Sequence, residues 1–189
     1  MVDNLMGAMF LSDSLKLGGK MPSFNLEGVD ERRHSSAEYS TKKVLVVVFM
    51  ANNSKYSESY VRRLIALQEK FLEYGVQIIA INSNDSSNST YDSLPLMAKQ
   101  AQKRGFNFPY LKDETQDVAR NFDAICNPEA YVFDEDRILR YRGKIDDCWN
   151  NPHAVKINYV LRAVKQLLHG KEVTVQETNP SGDTIKWKY

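Results

Sequence analysis

The chain has 189 residues, 42% apolar and 26% charged, a composition suited to one globular domain with a sizeable core and unlike that of disordered, collagenous or coiled-coil chains. Its 25 basic and 24 acidic residues leave a formal charge of +1 with no basic block, so nucleic acid is not an implied partner. No apolar run approaches the roughly 18 to 20 residues of a membrane span, so no membrane partner is expected either.

Residues 1–17 have no strong period and read as an N-terminal arm, leaving 18–189 as a single domain. The arm has an early acidic residue, no basic segment and only a broken apolar stretch, which does not fit a signal peptide and makes a cytoplasmic location the expectation. From Gly18, Phe24 and Leu26 alternate with polar neighbours before a turn at Gly28, the pattern of a short edge strand or hairpin. Glu31 to Thr41 is a polar lead into Val44 to Phe49, a continuous apolar run of the length of a strand buried on both faces.

That strand enters a polar turn, Ala51-Asn52-Asn53-Ser54-Lys55, and then a segment with Tyr60, Val61, Leu64, Ile65, Leu67 and Phe71 at helical spacing. Gly75 is suited to end the helix because it accepts a left-handed conformation. Val76 to Ile81 is a second β-branched run, so strand, helix and strand form a βαβ unit with parallel strands. A polar loop follows from Asn82 to Thr90, and its residue types are turn formers first. A helix is expected over 93–104, with Pro95 in its first turn and Gly105 after it. Phe106, Phe108 and Tyr110 alternate as a short strand, and 114–122 reads as another helix.

Tyr131 to Phe133 and Ile138 to Tyr141 are strands joined by Asp134-Glu135-Asp136-Arg137, an antiparallel hairpin that makes the sheet mixed. Asn151 to Gly170 is read as one helix with an apolar stripe of Ile157, Val160, Leu161, Val164, Leu167 and Leu168, and with His153 and His169 at its ends. The tail holds Val173, Val175, Ile185 and Trp187, enough apolar surface to dock.

The stretches GVQIIAINSND (75–85), RGFNFPYLKDETQDVAR (104–120), YVFDEDRILRYRGKIDD (131–147) and IKWK (185–188) together resemble the alkyl hydroperoxide reductase and thiol-specific antioxidant (AhpC/TSA, peroxiredoxin-like) superfamily. The resemblance implies an α/β thioredoxin-like fold, with a central mixed sheet flanked by helices and a cis proline at Pro128, after Asn127, facing the turn that follows Phe49. It also implies a nucleophilic cysteine where Ala51 stands and a resolving cysteine where Ser54 stands. Dithiol chemistry needs a thiolate, its pKa lowered at a helix N-terminus, and a second sulfur two residues on. Alanine has no side-chain heteroatom and a serine hydroxyl cannot exchange disulfides.

The expectation is therefore a redox-degenerate member of the superfamily that acts by binding a protein or peptide in the groove beside the turn and Pro128. Tyr56, Tyr60 and Trp149 are candidates to line that groove. The alternative is a thiol-dependent peroxidase or oxidoreductase working through Cys126, alone or in a regulatory disulfide with Cys148. Against that stands an inert buried thiol, since cysteine packs as a small hydrophobe. Asp146 and Asp147 read as a cap or a solvated turn rather than a cation site, and no metal or cofactor is implied.

Overall fold

The computed structural model describes residues 15–87 and 90–188. The expected arm therefore falls outside the described residues over 1–14, as do residues 88–89 of the polar loop. Residues 15–17 lie against the domain: Leu15 is buried and its carbonyl accepts from the Arg142 guanidinium at 3.2 Å.

Two β-branched runs set the centre. Val44–Phe49 (β3) and Val76–Asn82 (β4) pair in parallel, Val44 opposite Val76 through Phe49 opposite Ile81. Side chains alternate across a strand, so Val44, Val46 and Val48 enter one core layer while Leu45, Val47 and Phe49 enter the other. Burying each such side chain stabilises the fold by about 1.5–3 kcal/mol, which makes this pair the rigid base for whatever follows Phe49.

The remaining strands extend the sheet on both sides. Asn25–Gly28 (β1) and Arg33–Ser35 (β2) form an antiparallel hairpin, Tyr110–Lys112 (β5) lies between β1 and β4, and Glu129–Phe133 (β7) and Leu139–Gly143 (β8) complete the far side. The order is β2-β1-β5-β4-β3-β7-β8, seven strands of mixed direction. The helices Lys55–Phe71 (α1), Leu94–Arg104 (α2) and Tyr159–Leu168 (α4) contribute to one core layer through Tyr60, Leu64, Met97, Ala101, Val160 and Val164. The opposite layer holds Val118, Ala119 and Phe122 of Asp117–Phe122 (α3), together with Leu15 and Ile185 from the two chain ends. The architecture is the expected α/β one, a central mixed sheet flanked by helices.

Several boundaries differ from the sequence expectation. Glu31 to Thr41 is not only a lead: it contains β2 and a 3-10 turn at Ser36–Tyr39, closed by a capping box between Ser35 and Glu38. The alternation of Phe106, Phe108 and Tyr110 accompanies a cluster of tilted rings, with centroids 4.9 and 5.4 Å apart, and the strand itself begins only at Tyr110 after Pro109. The last helix starts at Tyr159 rather than Asn151. Asn158 accepts the Leu161 N–H at 2.8 Å and caps it, while Asn151 caps a separate 3-10 turn at Pro152–Ala154. His153 consequently lies in that turn, and Ile157, which fits the apolar stripe, stays exposed.

The tail docks. Asp183–Thr184 (β9) pairs antiparallel with Cys126–Asn127 (β6), and Ile185 is buried behind it.

Candidate functional site: the turn after β3 and the Asn127–Pro128 loop

The turn between β3 and α1 is held from three directions. At its helix end Ser54 is the N-cap: its Oγ accepts the Ser57 N–H at 3.2 Å and its own hydroxyl donates to the Asn127 carbonyl at 3.3 Å. The cap therefore also ties the α1 N-terminus, with its partial positive charge, to the loop that carries Pro128. Ser57 Oγ in turn accepts the Ala51 N–H at 3.2 Å.

Asn52 fastens the turn to the neighbouring loop. Its N–H donates to Asp92 at 2.9 Å, its amide to the Tyr91 carbonyl at 2.8 Å, and its Oδ1 accepts from the Tyr110 hydroxyl at 3.0 Å. Asp92 is fully buried and also accepts from Asn82 and Asn84. Asn53 and Lys55 stay exposed.

The Asn127–Pro128 peptide is cis. The Asn127 side chain is buried and donates to Asn84 Oδ1 at 3.0 Å, so the loops after β4 and before β7 meet beside the turn. The end of β4 and the start of the polar loop are thus interior wiring: Asn82, Ser83, Asn84 and Asp85 are all buried. Beneath it Lys112 donates to the Asn84 carbonyl, and burial pulls its pKa down.

A wall rises on the other side of Pro128. Asp146 is fully buried; it accepts from the Tyr60 hydroxyl at 2.9 Å and from Arg63 at 2.6 Å. Asp146 caps its own loop as expected, accepting the Cys148 N–H at 3.0 Å, but the expected solvated turn is corrected, because Tyr60 and Arg63 of α1 bury the carboxylate. Asp147 does serve its loop, accepting the Lys156 N–H at 3.0 Å. Arg63 reaches further, donating to the carbonyls of Cys148 and Trp149 at 3.0 and 2.8 Å. Trp149 is thereby set against Tyr56, ring centroids 4.3 Å apart, with the Lys55 ammonium 5.5 and 5.7 Å from the two centroids. Tyr60 is buried, with burial first and then Asp146 raising its pKa, so it supports this wall from behind. The Arg63–Asp146 pair went unread in the sequence because its members lie 83 residues apart.

Both cysteines are free. Cys126 is buried on β6, its sulfur 3.8 Å from the Pro128 carbonyl. Burial, then the carboxylates of Glu129 and Asp183, push its pKa up to about 12. At neutral pH such a group is a thiol, which is neither a nucleophile nor a metal ligand. Among the described residues no cluster of His, Cys, Asp and Glu could hold a metal ion, and no helix is long and apolar enough to cross a membrane.

Comparison with known proteins places this geometry. Residues 17–142 match the model of the AhpC/TSA family. The chloroplastic peroxiredoxin Q of Suaeda salsa is 25% identical over 132 residues, 65% of this chain and only 57% of that protein's length. An uncharacterized conserved protein from Geobacillus kaustophilus superposes with a TM-score of 0.87 at 35% identity, over 93% of this chain and 94% of its own. A hypothetical protein from Sinorhizobium meliloti 1021 gives the same TM-score at 29% identity, over 93% and 97%. Peroxidoxin BcpB from Mycobacterium tuberculosis, at 19% identity and a TM-score of 0.58 over 68% and 84%, shares the fold. Thioredoxin-like in fold, with its turn and cis proline side by side, the chain belongs to the AhpC/TSA family.

Proposed function

We propose that this chain is a redox-degenerate binding module that receives an extended protein or peptide segment between the turn and Pro128, against the Tyr56–Trp149 wall. One observation carries the reading: the turn is fully braced, through Ser54 to Asn127 and through Asn52 to Asp92, yet it holds no sulfur. Several similar proteins are named as peroxiredoxins or thiol:disulfide interchange proteins, and that chemistry runs on a thiolate. Here the nearest sulfur in sequence to Pro128 is Cys126, whose surroundings favour the thiol.

The exposed flank of the groove is aromatic and cationic, with Lys55 over Tyr56 and Trp149, a surface suited to an extended segment with apolar and acidic side chains. Two measurements test the proposal. In an insulin-reduction assay no turnover is expected; turnover that disappears in Cys126→Ser would overturn it in favour of a thiol oxidoreductase. With carboxymethylated insulin B chain as the probe, amide chemical-shift changes are expected at 51–55 and 146–149. Changes confined to other regions would remove the binding reading.

A further inference from the structure

The groove beside Pro128, bounded by Tyr60, Ile145, Asp146, Trp149 and Ser181, encloses only about 50 Å³. A cavity of about 150 Å³ is what admits a ring the size of benzene, so this space suits a few waters rather than a large peptide side chain. One of its walls, Ser181, belongs to the C-terminal tail.

The tail then follows the loop residue by residue. Gly182 lies so close that a Cβ there would stand 2.3 Å from the Asn127 carbonyl oxygen and 2.9 Å from the Pro128 nitrogen. No other residue could pass at that distance without moving one of the two strands. Beyond it, Asp183 is opposite Asn127 and Thr184 is opposite Cys126, and Ile185 N–H donates to the Ile125 carbonyl at 3.2 Å. β6 has β9 as its strand partner in a separate two-stranded sheet. A segment that adds itself to a strand edge in this way uses the same main-chain pairing that an extended peptide uses when it docks.

We infer that residues 181–185 are an intramolecular occupant of the Cys126–Asn127 edge, a strap that must lift before an extended peptide can enter the groove. The inference rests on the binding function proposed above and adds its regulation. From Gln176 to Lys188 one side chain, Ile185, is buried and one more, Trp187, is half-buried against the core with the Arg120 guanidinium 4.7 Å from its ring; the other ties include Asn84 Oδ1, which accepts the Lys186 N–H at 3.0 Å, and Gln116, which donates to the Lys186 carbonyl at 2.8 Å and accepts the Lys188 N–H at 2.8 Å. A segment with so little apolar burial belongs to the part of a fold that opens without global unfolding. Lifting it also uncovers Cys126, so that thiol reports the open state.

The wild-type protein supplies the first test. Amide hydrogen exchange at Ile185 and Lys186 is expected to run at least about 100-fold faster than at Val46 and Ile78, the mark of local opening. Exchange at a common rate would show that the tail leaves only when the whole domain unfolds, and would overturn the strap. The second test is Gly182→Val, which forces the tail off the loop. In the folded variant, alkylation of Cys126 by iodoacetamide is expected to rise about tenfold or more, and an unchanged rate overturns the inference. Should the variant not fold, the wild-type exchange decides. Carboxymethylated insulin B chain separates the two levels of the argument. It should bind Gly182→Val at least about tenfold more tightly than wild type. Equal binding to both overturns the strap alone, whereas binding to neither overturns the docking function and the strap's role with it.

Discussion

Two regions meet at the Asn127–Pro128 peptide, and they are complementary in what they lack. The turn at Ala51–Ser54 has the helix N-terminus, the cap and the brace to Asn127, the setting that lowers a thiol pKa, but no sulfur. The Cys126 strand has the sulfur but no activating neighbour: it is buried, faces the carboxylates of Glu129 and Asp183, and is covered by the tail. The fold thus sets a helix N-terminus in one place and a sulfur atom in another, and the two settings differ in what they do to a thiol.

The largest test of that contrast moves sulfur into the frame. In A51C combined with Cys126→Ser and Cys148→Ser, the single remaining thiol, at the α1 N-terminus, should be alkylated at pH 7.5 about 100-fold faster than Cys126 in the wild type, because the thiolate fraction outweighs the lost intrinsic nucleophilicity. The pH dependence of iodoacetamide labelling measures it. A rate as slow as that of Cys126 would mean that the turn does not activate a thiol, and the contrast between the two regions would collapse.

The wall beside the turn is the next point of attack. Asp146→Ala leaves the Tyr60 hydroxyl without its acceptor and Arg63 without its carboxylate, and breaking a buried pair of this kind costs about 3–5 kcal/mol. Arg63 retains some contact with solvent, so the lower end is expected, read as a shift of the urea midpoint. The Trp149 fluorescence should change in the same variant, since Arg63 holds the Trp149 carbonyl. Loss of stability without any change at Trp149 would detach the wall from the site.

These two regions also show what a sequence discloses and what it withholds. β3, β4 and α1 were legible because their signal is local: unbroken β-branched runs, a 3.6-residue stripe, and Gly75 in a left-handed conformation at the end. The order of elements around Pro128 was legible through motifs spread over most of the chain. Local pattern misled where two residues could play one part. Asn151 and Asn158 both cap, and only packing decides that Ile157 stays outside the helix. The alternation at Phe106–Tyr110 has the period of a strand, but it serves contacts between tilted rings. What joins the regions was not legible, because each tie crosses long stretches of chain: Ser54 to Asn127, Arg63 to Asp146, Asn84 to Lys186. No periodicity encodes a hydrogen bond between residues 73 or 102 positions apart.

The smallest expected effect is a slope, and it sharpens the sulfur-bearing side. Glu129 is buried next to Cys126, and burial raises its pKa above the ordinary value of 4.5, with the Ile125 N–H, which donates at 2.9 Å, acting the other way. Below pH 4.5 the carboxyl is protonated both folded and unfolded, and it contributes nothing to pH dependence. As the pH rises past that point the unfolded chain releases its proton first while the folded chain retains it, so this group lowers stability with increasing pH until the folded value is passed. Glu129→Gln cannot ionise, so its stability relative to wild type should climb from acidic to neutral pH, as measured by urea denaturation across that range. The same substitution removes a carboxylate that holds the Cys126 thiol up, and labelling of Cys126 should quicken while labelling of A51C stays unchanged. Equal changes at both positions would show that the two regions share one electrostatic environment, and the division between frame and sulfur would have to be given up.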